Sequence, residues 1–207
     1  MRFLQKLAIV AASVLIGSGS AKAQDGSLRA KAVLETTKTT RSTYSIYIWN
    51  KVTNPKQTPF EEASAEYNSG DLHRVETPRD RIIANCREQT GAYLAVISGK
   101  VIEGPNVAAA ACGINTNFPI LTMAWLGEIE TKFGKAQRIS VTDAQTIREY
   151  DVSPDRILLK TTYRENKIGG ATLIVSEVVT LERKVPDQAM FDQASLARRY
   201  LPLKMKN

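Results

Sequence analysis

Between Leu72 and Glu103 the chain reverses so often that only neighbouring antiparallel strands fit. Leu72–Thr77 and Arg81–Asn85 flank Pro78-Arg79-Asp80, and Tyr93–Ile97 and Lys100–Glu103 flank Ser98-Gly99. Upstream, Glu61–Tyr67 reads as a further extended segment and Asn68-Ser69-Gly70-Asp71 as the turn after it, since Asn and Gly tolerate positive φ. Alternating runs broken by such short turns specify hairpins in series, not strands separated by helices. A meander is the frame that every other segment must fit.

Tyr44-Ser45-Ile46-Tyr47-Ile48-Trp49 is another strand, with Tyr44, Ile46 and Ile48 on one face and Tyr47 and Trp49 on the other. Both faces are apolar or amphipathic, whereas an open antiparallel sheet usually keeps one face wet. Something must cover the second face. A helix lying across it would do so, as would a ligand cavity lined by Tyr47 and Trp49, and a sheet curved around a plug could have both. Asn54-Pro55 and Pro59 read as loop, and Gln24–Thr43 as polar sequence with a weak helical stretch around Leu28–Leu34.

After Gly104-Pro105, Asn106 is placed to cap a short alanine-rich helix through Val107–Cys112. Pro119–Leu126 is too apolar for free loop, and periodicity alone does not assign it. The reading adopted is a helix packed on the sheet, ending near Gly127, with Trp125 as a core or cavity residue. Arg138–Val141, Ile147–Val152, Arg156–Tyr163 and Thr172–Leu181 read as strands, with Ser153-Pro154-Asp155 as a turn. In the last of these Leu173 and Val175 are assigned inward, Thr172, Ile174 and Ser176 outward, and the parity blurs at Val178-Val179. After Pro186, Asp187 is placed to cap a short helix presenting Met190, Ala194, Ala197 and Leu201 on one side. Arg198, Arg199, Lys204 and Lys206 then form a solvated tail. The expected fold is α+β: a strongly curved antiparallel β-sheet, a half-barrel meander, covering one to three short helices.

Residues 1–23 have the three parts of a secretory signal peptide: Arg2 and Lys6, an apolar run from Leu7 to Ile16, and Ala21-Lys22-Ala23 as the cleavage site. That run is too short to span a bilayer, which takes about 20 residues. Cleavage after Ala23 removes Arg2, Lys6 and Lys22 and no acid, so the formal charge falls by three, from +7 to +4. What remains, residues 24–207, is expected to be a single curved-sheet domain, periplasmic or extracellular, with no membrane-spanning segment. Its basic residues are scattered among acids and not striped with aromatics, which argues against nucleic acid as a partner.

Two cysteines in an exported chain are expected to pair as a structural Cys86–Cys112 bridge. There is no CxxC, GxSxG, Walker, post-strand GxGxxG or HExxH motif, and a single histidine excludes the common multi-histidine zinc sites. No metal, cofactor or catalytic residue is therefore expected. His73 shares a strand face with Asp71 and not with Glu76, and this pairing reads as a solvated ion pair, leaving His73 dispensable. Arg74, Arg79 and Arg81 against Glu76 and Asp80 read as a salt-linked hairpin tip, with an anion site as the lesser alternative.

A signal peptide, a meander, an apolar middle and paired late strands closing in Val185-Pro186-Asp187…Phe191 together resemble the periplasmic lipoprotein-carrier superfamily, the LolA/LolB-like half-barrel, chiefly over Ile147–Phe191. Cys86, Cys112 and the HRVETPRDR run depart from that pattern, as does a late proline only at Pro202. The resemblance implies a curved sheet enclosing an apolar cavity. The favoured function is non-enzymatic binding or carrying of a lipid, an acyl chain or an acylated protein, with Tyr47, Trp49 and Trp125 as ligand-binding residues. A ligand-free envelope interaction module is the alternative, and a hydrolase built on His73 with a nucleophile such as Ser69 the third.

Overall fold

The computed structural model describes residues 17–39, 41–114, 118–165 and 171–201. Helix α1 (Gly17–Thr39) leads into β1 (Thr43–Asn54), β2 (Gln57–Ser69), β3 (Leu72–Glu76), β4 (Asp80–Asn85), β5 (Thr90–Ala95) and β6 (Lys100–Glu103). A short helix α2 (Pro105–Ala111) precedes β7 (Ile120–Thr131), β8 (Gly134–Asp143), β9 (Thr146–Val152), β10 (Leu158–Glu165) and β11 (Leu173–Glu182). The strands form one antiparallel sheet in the order β6-β5-β4-β3-β2-β1-β11-β10-β9-β8-β7. Every pairing but one joins sequence neighbours. The exception, β1 with β11, fuses two meanders into a single open half-barrel whose edges are β6 and β7.

Both helices lie on one face of the sheet. α1 presents Ala30, Val33 and Leu34, a helical stripe, to Ile139, Val141, Tyr150 and Val152. α2 packs Ala108 and Ala111 on Ala84 and Ile82 at the other end of the same face. Helix and sheet approach so closely there that a Cβ on Gly91 would stand 2.8 Å from the Ala108 nitrogen. The opposite face, over β2–β5, is covered by the chain after β11. That segment makes two 3-10 turns, Gln188–Phe191 and Gln193–Ala197, the first capped by the Asp187 carboxylate accepting from the Ala189 N–H at 3.0 Å. The expected C-terminal helix is thus a pair of 3-10 turns, with Met190, Leu196 and Leu201 as its apolar contacts.

Of Pro119–Leu126, expected as a helix, Ile120–Leu126 belongs instead to strand β7. Met123 and Trp125 pack on the α1 layer, while Leu121 and Leu126 stay exposed. The register with β8 shifts between Trp125 and Gly127, so Gly127 marks a bulge within the strand and not a helix end. Beside a strand partner the run is buried on one face only. The helix that fills the sheet comes from the polar opening sequence, where only Ala30, Val33 and Leu34 need be apolar. Pro59, expected in a loop, lies in β2 beyond the reach of β3, whose pairing begins at Ala65, and where the register with β1 is irregular, a position at which a strand tolerates proline.

The two faces of β11 are the reverse of those expected. Ile174, Ser176 and Val178 share the face of Ile48, and the register with β1 skips Val179, so a bulge produces the blurred parity at Val178-Val179. The proposed cleavage site after Ala23 falls inside α1; residues 1–16 of the expected leader lie outside the described residues, as do Lys204 and Lys206 of the expected tail. No helix among the described residues is long and apolar enough to cross a membrane.

Candidate functional site

Between the C-terminal ends of α1 and α2 the helix face of the sheet is left partly uncovered. β1, β2, β3 and β10 floor a cavity of about 290 Å³, with Val75, Ile82, Ile114 and Leu158 supplying apolar wall and Tyr44, Glu66, Asn68 and His73 a polar end. A larger, more open groove of about 570 Å³ lies elsewhere, against the β4–β5 edge, the start of α2 and Phe191. The smaller cavity is the stronger candidate because buried polar atoms without protein partners gather there.

The disulfide shapes this cavity. Cys86, just past β4, and Cys112, the C-cap of α2, are joined with Cα atoms 5.6 Å apart. The bond ties the end of α2 to the sheet and sets the Ala111 carbonyl 2.6 Å from Nδ1 of His73. The next residue, Gly113, has φ 81°, and a Cβ there would meet Cγ of Lys38 at 2.8 Å and its Cα at 3.0 Å. Glycine is what lets α1 and the α2 exit close together over the site.

His73, expected on an exposed strand beside Asp71, is 9% exposed. It alternates onto the helix face of β3 and is covered by α2, while Asp71 pairs with Arg41 at 2.7 Å. Its Nε2 lies 3.6 Å from Oε2 of Glu66 and has no hydrogen-bond partner. The Tyr44 hydroxyl is within hydrogen-bonding reach of Glu66 and of the Asn68 amide; burial first, then the Glu66 charge, push its ionisation far above the ordinary tyrosine range. Asn68 Oδ1 is also buried without a partner. Ser69 points away from His73, its Oγ accepting from Gln188 Nε2 at 2.8 Å on the opposite face. The residues of the hydrolase reading are not brought together.

The arginine trio does not form a hairpin tip. Arg74 is fully buried on the face opposite His73, 2.6 Å from Glu76 Oε1. It donates to the carbonyls of Met190 (2.6 Å) and Arg198 (2.9 Å) and to Ser195 Oγ (2.7 Å). Glu76 Oε2 accepts from the N–H groups of Tyr200 (2.9 Å) and Leu201 (2.6 Å). Arg81 donates to the Leu196 carbonyl, whereas Arg79 pairs with Glu62 in solvent. The buried pair is a clasp for the C-terminal segment. Alternating charge along β3 contained the signal, but nothing in it shows which residues would be covered.

Tyr47, Trp49 and Trp125 are dispersed. Tyr47 meets Tyr67 edge-on at 6.5 Å beneath the C-terminal segment. Trp49, on the same face, is 38% exposed and donates from Nε1 to Glu61 at 2.9 Å. Trp125 lies on the helix face, with the Arg29 guanidinium 3.8 Å above its ring. None of the three lines the 290 Å³ cavity. The residues that do, Tyr44, Glu66, Asn68 and His73, sit on alternating strand positions; only the pairing register, with Tyr44 opposite Asn68 and Asn68 opposite His73, unites them.

No family model matches the sequence, and no curated protein matches it either. Among solved structures the chain is similar to a LolA superfamily protein from Nitrosomonas europaea, at 9% identity and TM-score 0.44, covering 81% of this chain and 99% of that one. It is similar to an uncharacterized conserved protein from Thermus thermophilus, at 14% identity and TM-score 0.48, with 79% and 92% covered. A Vibrio parahaemolyticus domain described under outer membrane lipoprotein sorting follows at 9% identity and TM-score 0.40, with 85% and 100% covered. These likenesses concern the outline of sheet and helices, and the functional reading rests on the side chains above.

Proposed function

We propose that this is an exported, non-catalytic binding protein that takes one end of an amphipathic molecule, a lipid or an acyl group on a protein, into the cavity between α1, α2 and the sheet. The carrying observation is the cavity itself: an apolar wall of Val75, Ile82, Ile114 and Leu158 leading to a polar end at His73. Its volume of about 290 Å³ is at the small limit of ligand pockets and suits a single chain. Each buried methylene would contribute about 0.8 kcal/mol. The leader is removed after Ala23, and the α1 residues that pack, Ala30, Val33 and Leu34, all lie beyond that cut.

Titration with monocaprylin and methyl octanoate, followed by native mass spectrometry, tests this. Wild type is expected to bind one equivalent, and Leu158→Trp or Val75→Phe, which fill the cavity, to lose binding at an unchanged melting temperature. Equal binding by wild type and both folded variants would overturn the cavity as the site. Because neither tryptophan lines it, little change in native fluorescence is expected on binding. The alternative of an envelope interaction module is favoured by exposed Val101 and Ile102 on edge strand β6 and by exposed Ile97 in the turn before it. It predicts no amphiphile binding and loss of partner capture in Val101→Lys.

A further inference from the structure

The polar end of the cavity is short of donors. The Ala111 carbonyl can only accept, so the Nδ1 of His73 facing it at 2.6 Å carries a hydrogen. In the neutral ring Nε2 is then an acceptor, and it faces another acceptor, Oε2 of Glu66, across 3.6 Å. Asn68 Oδ1 is a third acceptor, beside the Tyr44 hydroxyl that Glu66 and the Asn68 amide both neighbour. Neither Nε2 nor Oδ1 has a protein partner, although both are buried. An unmatched buried polar atom costs about 1–3 kcal/mol, so the cluster is stabilised by whatever brings hydrogens to it.

The cations lining the cavity do not supply them. Arg41 is held by Asp71 Oδ1 at 2.7 Å and the Lys38 carbonyl at 2.5 Å, and Arg156 by Gln137 Oε1 at 3.1 Å. We infer that the cavity selects a ligand whose polar group donates hydrogen bonds, a hydroxyl or an ammonium, seated among His73 Nε2, Glu66 Oε2 and Asn68 Oδ1. This rests on the cavity being the amphiphile site. A carboxylate seated among those three atoms would face their lone pairs and the Glu66 charge, so free fatty acids are expected to bind less tightly than acyl glycerols or alkylamines.

Four octyl compounds separate the outcomes: monocaprylin, octylamine, methyl octanoate and octanoate. Calorimetry on the oxidised wild-type protein is expected to show monocaprylin or octylamine binding about tenfold tighter than methyl octanoate, the value of roughly one net hydrogen bond. Which of the two is tighter distinguishes a hydroxyl from an ammonium. Asn68→Leu and His73→Phe should bring the donor-bearing ligands down to the ester's affinity while leaving the ester unchanged. His73 is the only histidine, so 15N-histidine labelling gives one side chain to follow. Its Nε2 resonance should move with a donor ligand and not with the ester.

Equal affinity for all four compounds would overturn the inference while keeping the cavity as an apolar site. Binding of none would overturn the function on which it rests. A resonance showing both ring nitrogens protonated at neutral pH, unmoved by octylamine or monocaprylin, would also overturn it, since His73 would then be the donor to Glu66.

Discussion

Arg74 and Glu76 show how much two residues on a five-residue strand can organise. Side chains two apart share a face, and here the pair is removed from water entirely, at 0% and 1% side-chain exposure. Two buried charges lose several kcal/mol of hydration each, and the attraction between them compensates only if their other hydrogen-bonding sites are also satisfied. The C-terminal segment does that with backbone carbonyls on Arg74, backbone N–H groups on Glu76 and the Tyr200 ring 4.7 Å from the guanidinium. Removing one partner strands the other: Arg74→Met is expected to cost about 3–5 kcal/mol in urea denaturation. It should also expose the segment after Pro186 to proteolysis. The solvent-exposed pair Arg79–Glu62 is worth at most about 1 kcal/mol, so Arg79→Ala should be near neutral. A loss under about 1 kcal/mol for Arg74→Met would mean that the segment is held by its apolar contacts alone.

At the scale of elements, α2 is seven residues long and cannot be a helix on its own account, because isolated helices shorter than about 12 residues are marginal in water. It persists because alanines seat it on β4 and β5, Gly91 permits the approach, and Cys112 is bonded to Cys86. The bridge spans 26 residues, for which the chain-entropy model gives about 3–4 kcal/mol. The Cys86→Ser/Cys112→Ser protein should unfold earlier in urea by about that amount. Its folded fraction should bind octyl ligands more weakly, since the Ala111 carbonyl no longer orients His73. Unchanged affinity in a stable double variant would separate the bridge from the site. Gly113→Ala tests the neighbouring closure: with φ 81° and Lys38 in the way, a methyl should lower stability at once.

These elements also mark what was legible in the sequence. Hairpins read well, because turn residues such as Asn68-Ser69-Gly70-Asp71 and Ser98-Gly99 are local chemistry. The meander followed from them, the disulfide from two cysteines in a chain read as exported, and α2 from the alanines after Gly104-Pro105, although it starts at Pro105 with Gly104 and not Asn106 as its N-cap. The β7 run did not follow, because an apolar octamer carries no period that tells a helix from a strand, and its state was decided by pairing with β8, which follows it directly, and by α1, which lies far away in sequence. The bulges at Gly127 and Val179 shift faces by one residue, which alternation alone does not reveal. The cavity escaped for a related reason. Aromatic size drew attention to Tyr47 and Trp49, whereas burial of His73 depends on a helix that arrives about forty residues later and is fixed there by the disulfide.

On the scale of the whole molecule, buried tyrosines couple both layers of the half-barrel to pH. Tyr44 lies in the helix layer beside the cavity, and Tyr67 beneath the C-terminal segment. Burial pushes both phenols well above their ordinary range; the Glu66 charge adds to this at Tyr44 and the Tyr47 hydroxyl at Tyr67. In the unfolded chain they ionise near pH 10. The folded state therefore holds its protons longer, and above about pH 10 the unfolded state binds fewer protons than the native one. The stabilisation is fully present below that pH and is lost as pH rises toward the folded values. The melting temperature should accordingly fall above about pH 10, with the buried phenolate absorbance appearing together with the loss of secondary structure. Tyr44→Phe and Tyr67→Phe should each make the alkaline slope shallower by about one proton's worth. Tyr44→Phe alone should also disturb octyl-ligand binding, because of the two tyrosines only Tyr44 lines the cavity with Glu66 and Asn68. If all phenolates titrated reversibly near pH 10 in a protein that stayed folded, the two tyrosines would be reachable by solvent, and the tight closure of both faces around the sheet would have to be given up.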